Sequence, residues 1–177
     1  MKIADLDFEP LLTYDVIEKR IAAIAGQLNA AYADKTPIFV GVLNGSFMFM
    51  GDLMKTINFS CEVAFTKLSS YHGGLKSTRI IKDEVDLTFD ITGRHIILVE
   101  DIIDTGNTMN YLLAKLEVRK PASITVCTLL LKPAALEHKI DELKYVAFEI
   151  ENKFVVGYGL DYKQLGRNLK DIYQLVI

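Results

Sequence analysis

The feature that most constrains this chain is the segment at residues 96–109, which changes character abruptly along its length. It begins with an apolar run at residues 96–99, which is typical of a strand buried in a parallel sheet. It continues with the acidic pair Glu100 and Asp101, and then with a loop of small residues that opens a helix. Because an unpaired ionised carboxylate is costly in an apolar interior, the pair must face water, a metal or sugar hydroxyls. The carboxyl end of this strand is therefore predicted to be a polar site.

The length and charge of the chain limit the classes of protein to which it can belong. A chain of 177 residues can bury one sizeable core and is short for two domains, so a single domain at residues 1–177 is expected. The formal net charge of −3 gives no support to nucleic-acid binding. The sequence shows neither a leader pattern nor an apolar stretch of roughly 18 to 20 residues, so a cytoplasmic protein with no membrane association is expected. Cys127 lies in an apolar run, as a small buried hydrophobe would, and a disulfide framework is not expected.

Helical and strand patterns alternate along most of the chain. The apolar positions between Val16 and Leu28 recur at helical spacing after a potential capping residue, Thr13. Further helices are predicted at residues 47–54 and 109–118, strands at 37–43, 60–68, 85–89, 96–99, 123–131, 145–150 and 172–177, and a long mobile loop at 69–79. This alternation predicts an open α/β sheet, in which ligands bind beyond the carboxyl ends of the strands.

The loop after the acidic pair predicts a phosphate site. Thr105, Gly106, Asn107 and Thr108 lie between a strand and a helix, so their backbone N–H groups and two hydroxyls can converge on one anion. The acidic pair just upstream could bind a diol or hydrated Mg²⁺, which makes a phosphorylated sugar the natural ligand. The simpler alternative is that Asp104 caps the helix and that the acidic pair is a solvated strand end.

Residues 99–109 resemble the phosphoribosyl-diphosphate signature of the type I phosphoribosyltransferases, and in particular its form in the hypoxanthine(-guanine) phosphoribosyltransferases. Three other segments resemble the same family in the same order. Residues 43–49 are similar to its pyrophosphate loop, Ser70 and Tyr71 to its mobile lid, and residues 153–162 to its base-binding segment. The resemblance implies a mainly parallel central sheet flanked by helices, with a small hood built from the chain-terminal segments.

The resemblance implies a role for each residue of the phosphoribosyl site. Glu100 and Asp101 would hold the two ribose hydroxyls, directly or through Mg²⁺. The 5-phosphate would be held by a loop that consists of Asp104, Thr105, Gly106, Asn107 and Thr108. Asp104 would also be the general base near N7 of the purine.

For the purine, the resemblance implies that Lys132 donates to the 6-oxo group, that Phe154 stacks on the ring, and that the Val155 backbone reads the ring edge. A cation facing an oxygen acceptor is favourable, whereas the amino group of adenine would oppose one donor to another. The site is therefore expected to reject adenine. Taken alone, Lys132 could equally be a solvated residue and Phe154 a core residue.

For the pyrophosphate, the resemblance implies binding by Asn44, Gly45 and Ser46, with Arg167 contacting it and Asp161 ligating its Mg²⁺. Asn44 departs from the family, because a basic residue often stands at this position. The resemblance also implies a non-proline cis peptide near Asn44 and Gly45. Taken alone, Asp161 could be a turn former and Arg167 a surface charge.

The implied activity is the Mg²⁺-assisted transfer of the phosphoribosyl group from phosphoribosyl diphosphate to N9 of hypoxanthine or guanine. Two alternatives stay open at this point. One is a xanthine or pyrimidine phosphoribosyltransferase, and the other is a non-catalytic regulator of the same fold that binds nucleotides and RNA. The slightly acidic balance of the chain argues against the regulator, because RNA binding requires a basic surface. The resemblance alone implies a homodimer or homotetramer.

Overall fold

The computed structural model describes residues 1–72 and 79–176, and at residues 69–72 and 79–83 it describes the backbone alone. The elements in chain order are β1 (Lys2–Ile3), β2 (Leu6–Leu12), α1 (Tyr14–Tyr32), β3 (Ile38–Leu43), α2 (Phe47–Thr56), β4 (Glu62–His72), β5 (Arg79–Val85), β6 (His95–Ile103), α3 (Asn107–Glu117), β7 (Ser123–Leu131), a 3₁₀ turn (Pro133–Ala135), β8 (Leu143–Glu149), β9 (Val155–Val156) and β10 (Ile172–Leu175). The predicted alternation of helices and strands is confirmed over most of this part of the chain.

Six strands form the central sheet, in the order β5-β4-β3-β6-β7-β8. All of them run parallel except β5, which pairs antiparallel with β4 at one edge. The chain passes from β3 through α2 to β4, and later returns to β6 on the other side of β3. The strand order therefore reverses between β3 and β6, and open α/β sheets leave a ligand crevice beyond the carboxyl ends of the strands at such a point.

Helices cover both faces of this sheet. Because successive side chains of a strand point to opposite faces, Ile97 packs on one face with Leu28 of α1 and Leu53 of α2. Leu98 packs on the other face with Leu112 of α3. Full burial of such a side chain contributes about 1.5–3 kcal/mol, so these contacts fix α3 at the end of β6. In the described part of the chain, every helix is too short or too polar to cross a membrane.

A second sheet forms the hood that the resemblance implied. Its four strands are antiparallel, in the order β1-β2-β10-β9, and they come from both ends of the chain. Ile3, Phe8 and Val156 are buried between them. The sequence patterns did not predict β1 and β2, because Asp, Glu and Pro residues interrupt the apolar alternation in this segment.

The predicted loop at residues 69–79 is wrong at both of its ends. Strand β4 continues to His72, and its antiparallel partner β5 begins at Arg79. Residues 73–78 lie outside the part of the chain that the structure describes. The polar composition of these residues did not indicate strands, because an edge strand such as β5 tolerates polar side chains.

The predicted strand at residues 85–89 is also wrong, because β5 ends at Val85 and an irregular segment follows it. Its apolar residue Leu87 is buried in the same cluster as Leu112 of α3. The Arg119 guanidinium donates hydrogen bonds to the carbonyl oxygens of Leu87 and Phe89. The apolar pattern here reflects packing under α3, and not pairing in the sheet.

Candidate active site

The carboxyl ends of β3 and β6 are in contact where the strand order reverses. Gly45, which follows β3, lies against the side chain of Asp101 in β6. A Cβ atom at Gly45 would lie 1.4 Å from Asp101 Oδ2, so a side chain here would displace the carboxylate. The predicted pyrophosphate loop and the predicted ribose site therefore lie side by side.

The hood lies against the same loop. Gly159 has a φ of +101°, and a Cβ atom on it would lie 1.9 Å from the Gly45 carbonyl oxygen. The Arg167 guanidinium donates to the Gly159 carbonyl oxygen (Nη1–O 2.8 Å) and pairs with Asp161 (Nη2–Oδ1 2.5 Å). Arg167 is thus a paired residue of the hood and not a free surface charge. The structure brings Arg167 and Asp161 together beside the pyrophosphate loop.

The pyrophosphate loop offers hydrogen-bond donors in place of a charge. The peptide bond between Leu43 and Asn44 is cis, immediately before the position that the resemblance implied. Ser46 is fully buried and its hydroxyl donates to the Val42 carbonyl oxygen (Oγ–O 2.6 Å), so its backbone N–H is the group left for a ligand. Asn44 is exposed. The resemblance implied a basic side chain at this position, and this chain has an amide.

The acidic pair lies within β6 and not after its end, because the strand continues to Ile103. Glu100 is only 7% exposed and Asp101 is partly buried, so the pair is not a fully solvated strand end. Burial raises the pKa of Glu100 well above its usual value, and the neighbouring Asp101 carboxylate raises it further. Burial also raises the pKa of Asp101. A buried carboxylate beside a partly buried one is stabilised by a bound cation or by hydroxyl donors.

The predicted 5-phosphate loop encloses a cavity of about 100 Å³ at the start of α3. Glu100 and residues 102–109 line this cavity. Gly106 is the N-cap residue of α3 and has a φ of +83°, a conformation that glycine adopts readily. The cavity therefore lies at the positive end of a helix, where a phosphate is stabilised.

Asp104 and Lys132 form an ion pair at the mouth of this cavity (Oδ2–Nζ 3.0 Å). Lys132 is only 6% exposed, so it is not a solvated residue, whereas the Asp104 side chain is 49% exposed. The Lys132 backbone N–H donates to the Ile103 carbonyl oxygen (N–O 3.0 Å), which fixes the end of β7 beside the end of β6. Because Gly106 caps α3, Asp104 is not the helix cap. A half-exposed carboxylate and a buried cation thus lie side by side.

Phe154 is 43% exposed and lies at the edge of the hood. Its ring contacts Phe8 and Tyr162, with centroid distances of 6.3 Å and 5.7 Å. The following residue, Val155, is buried and pairs with Gln174 of β10. An aromatic ring that is held by two others and open on its remaining surface suits stacking on a planar base.

Sequence reasoning missed the two aromatic residues that support Phe154. Tyr162 lies within the segment at residues 153–162 that resembled the base-binding segment, so its position carried a signal. Phe8 is distant in sequence and reaches the site only through the pairing of β2 with β10. Sequence reasoning also missed Glu137 and His138, which contact the 5-phosphate loop although they are distant from it in sequence.

The predicted metal ligands are Glu100, Asp101 and Asp161. Asp161 already accepts hydrogen bonds from Arg167 and from the backbone N–H of Gln164 (N–Oδ2 2.8 Å). Among the residues that the structure describes, no group of three or more acidic, histidine or cysteine side chains could hold a metal by itself. Mg²⁺ commonly takes one or two carboxylates and completes its ligands with water and substrate phosphates, and the acidic pair fits that arrangement.

The predicted lid residues are described only in part. The backbone of Ser70 and Tyr71 belongs to β4 and pairs with Ile81 and Ile80 of β5. The structure does not describe their side chains, so the role of both residues stays a prediction.

Residues 10–163 match the sequence model of the phosphoribosyl transferase domain. The chain therefore belongs to the phosphoribosyltransferase family.

Relatives within that family include hypoxanthine and hypoxanthine-guanine phosphoribosyltransferases. The chain is 46% identical over 159 residues to the hypoxanthine-guanine phosphoribosyltransferase of Streptococcus pneumoniae, which covers 90% of this chain and 88% of that relative. It is 42% identical over 163 residues to the hypoxanthine phosphoribosyltransferase of Escherichia coli, with 91% of each chain covered. The solved hypoxanthine phosphoribosyltransferase of Staphylococcus aureus superposes with a TM-score of 0.89 at 41% identity, over 97% of this chain and 92% of that one. The predicted family and fold are confirmed.

Proposed function

We propose that this chain transfers the 5-phosphoribosyl group of phosphoribosyl diphosphate to N9 of hypoxanthine and guanine, giving IMP or GMP and pyrophosphate in purine salvage. The observation that carries the proposal is the buried Lys132 ammonium beside Asp104, next to the cavity at the start of α3. The names of the relatives support the same reaction.

The sugar phosphate would bind across the ends of β6 and α3. Its 5-phosphate would accept hydrogen bonds from the backbone N–H groups of residues 104–108, at the positive end of the helix. The ribose hydroxyls would donate to Glu100 and Asp101, directly or through Mg²⁺. These bonds would offset the cost of burying Glu100 and of partly burying Asp101.

The purine would stack on the open surface of Phe154, with its edge read by the backbone of Val155. Its 6-oxo group would accept a hydrogen bond from Lys132, which can only donate. Adenine presents an amino donor at that position and would leave two donors opposed. Asp104 would take the proton of the attacking purine near N7, a general-base role that contributes about 10²–10⁴-fold to the rate.

The departing pyrophosphate would bind between the hood and β3. Negative charge develops on this leaving group, and Arg167 would supply a positive charge that Asp161 and Gly159 hold in place. The N–H groups of Asn44, Gly45 and Ser46 would donate to its oxygens. Asp161 would hold a Mg²⁺ at the pyrophosphate, and the acidic pair would hold the ribose hydroxyls directly or through Mg²⁺. When bound, Mg²⁺ supplies positive charge near the leaving group.

Three other properties belong to the proposal. Ser70 and Tyr71 would close over the reacting centre and exclude water. Residues 1–177 would act as a single cytoplasmic domain that needs neither nucleic acid nor a membrane. Assembly into a homodimer or homotetramer would follow the family. In the solved hypoxanthine phosphoribosyl transferase of Trypanosoma cruzi, which is 33% identical, the C-terminal region has a role in oligomeric state and enzymatic activity.

The experiment that tests the proposal is an incubation with phosphoribosyl diphosphate, Mg²⁺ and each of hypoxanthine, guanine, xanthine, adenine and uracil, followed by chromatography of the nucleotides. We expect IMP and GMP. Formation of only the adenine or uracil nucleotide would overturn the proposal. Xanthine is a further candidate base, because a relative from Tritrichomonas foetus, 43% identical over 159 residues, is named a hypoxanthine-guanine-xanthine phosphoribosyltransferase.

A further inference from the structure

Residues 132–140 belong to the connection between β7 and β8 and run along the 5-phosphate loop, and we call them the strap. The backbone N–H of Glu137 donates to the Thr105 carbonyl oxygen (N–O 3.0 Å). Near the end of the strap, the buried side chain of Ile140 packs beside Gly106, where a Cβ atom would lie 3.3 Å from Ile140 Cδ1. The strap therefore contacts the loop through both backbone and side chains.

Two side-chain contacts between the strap and the loop are made by Asn107, the first residue of α3. Its Nδ2 donates to Glu137 Oε2, and its Oδ1 accepts from His138 Nε2, with both distances 2.9 Å. The two bonds are consistent with each other, since an amide nitrogen donates and an amide oxygen accepts, so His138 carries a hydrogen on Nε2. Both ends of the Asn107 side-chain amide are thus engaged by the strap. Its backbone N–H donates only a long hydrogen bond to the Thr105 hydroxyl (N–Oγ1 3.4 Å), which a bound phosphate would replace.

We propose that Glu137 and His138 are positioning residues for the 5-phosphate, because they hold Asn107 and with it the first N–H groups of α3. This inference rests on the proposed function and assigns a role to residues outside the four segments that resemble the family. A loop that is already held in its binding conformation does not have to be ordered by the substrate. Without the contacts to Asn107, part of the binding free energy would be spent on ordering the loop.

Because Glu137 is charged, electrostatic repulsion and positioning predict opposite changes in binding of the sugar phosphate when Glu137 is removed. A carboxylate near a phosphate site repels the phosphate, although the exposed position of Glu137 weakens this effect through solvent screening. If charge dominated, removal of Glu137 would strengthen binding of the sugar phosphate. If positioning dominates, removal of the hydrogen-bond acceptor weakens binding. Glutamine separates the two effects, because it keeps an acceptor oxygen and loses the charge.

The experiment compares Glu137→Ala and Glu137→Gln by steady-state kinetics. Loss of a hydrogen bond to a charged group is expected to raise the KM for phosphoribosyl diphosphate about tenfold in Glu137→Ala. We expect kcat and the KM for hypoxanthine to stay within about twofold of wild type. Glu137→Gln should keep the KM for phosphoribosyl diphosphate at or below that of wild type. His138→Ala should raise it, and His138→Gln, which retains a donor, should restore it in part.

Lys139→Ala is the matched control, because Lys139 lies on the same strap and pairs with Asp141 on the surface. An unchanged KM in Glu137→Ala would overturn the inference, as would an equal rise in Lys139→Ala or in Glu137→Gln. Calorimetric titration with ribose 5-phosphate measures the same contact without turnover. If wild type shows no transfer, the proposed function fails, whereas the titration still decides whether Glu137 positions the phosphate loop.

Discussion

Replacing Lys132 by methionine removes the buried cation of the candidate active site and keeps a side chain of similar length. The ammonium lies 3.0 Å from the Asp104 carboxylate, and Lys132 is 6% exposed. A hydrogen bond that involves a charged group contributes about 1.5–3 kcal/mol. Because about 1.4 kcal/mol is a factor of ten in rate, kcat/KM for hypoxanthine is expected to fall about 10- to 150-fold.

The same substitution should change the choice between bases. Methionine no longer opposes a donor to the amino group of adenine, so kcat/KM for adenine should not fall, and the preference for hypoxanthine should shrink by a similar factor. The fold should be retained, because the Asp104 side chain is 49% exposed and water can replace its partner. We expect the free energy of unfolding to change by about 1 kcal/mol or less.

The assay is steady-state kinetics with hypoxanthine and with adenine at saturating phosphoribosyl diphosphate, combined with thermal unfolding. Lys139→Met serves as the control, because Lys139 is an exposed lysine of the same strap. An equal fall in kcat/KM for both bases would refute the reasoning, since it would mean that Lys132 acts through the local structure and not through the 6-oxo group. An unchanged kcat/KM for hypoxanthine would refute it as well.

Three further substitutions test other parts of the site and the fold. Asp104→Ala is expected to keep the fold and the affinity for phosphoribosyl diphosphate but to lower kcat about 10²–10⁴-fold, and near-normal turnover would contradict the general-base role. Gly45→Ala would place a methyl group 1.4 Å from the Asp101 carboxylate, so calorimetry should show weaker binding of phosphoribosyl diphosphate, and unchanged affinity would argue against the close contact. Burial raises the pKa of Asp52, but hydrogen bonds, including one from Tyr158 (Oη–Oδ2 2.7 Å), outweigh burial and lower the pKa below its usual value. A carboxylate with a lowered pKa contributes its stability fully above an unfolded-state pKa of about 3.9 and loses it as the pH falls further. Tyr158→Phe should therefore lower the urea midpoint of unfolding at pH 7 and make a smaller difference near pH 3, and equal differences at both pH values would count against this account.

Local sequence patterns predicted the units that build the site. The strand, turn and helix at β3 and α2, and again at β6 and α3, were predictable because each combines a buried apolar run with a small-residue turn and a helical period. The patterns failed where apolar or polar composition did not correspond to pairing in a strand. Leu87 is buried under α3 outside any strand, and the polar ends of the predicted loop at residues 69–79 pair as β4 and β5.

The sequence by itself determined which chemical groups lie near the carboxyl ends of the strands: an acidic pair, a small-residue phosphate loop, a lysine and an aromatic ring. Only the tertiary structure decided which of these groups meet. Lys132 and Asp104 are 28 positions apart in the chain, and they pair because β6 and β7 are parallel neighbours that end at the same edge. Local propensity reports on the backbone of one element at a time. The distances between groups on different elements depend on strand order and on the packing of the hood, to which residues distant in sequence, such as Phe8, contribute.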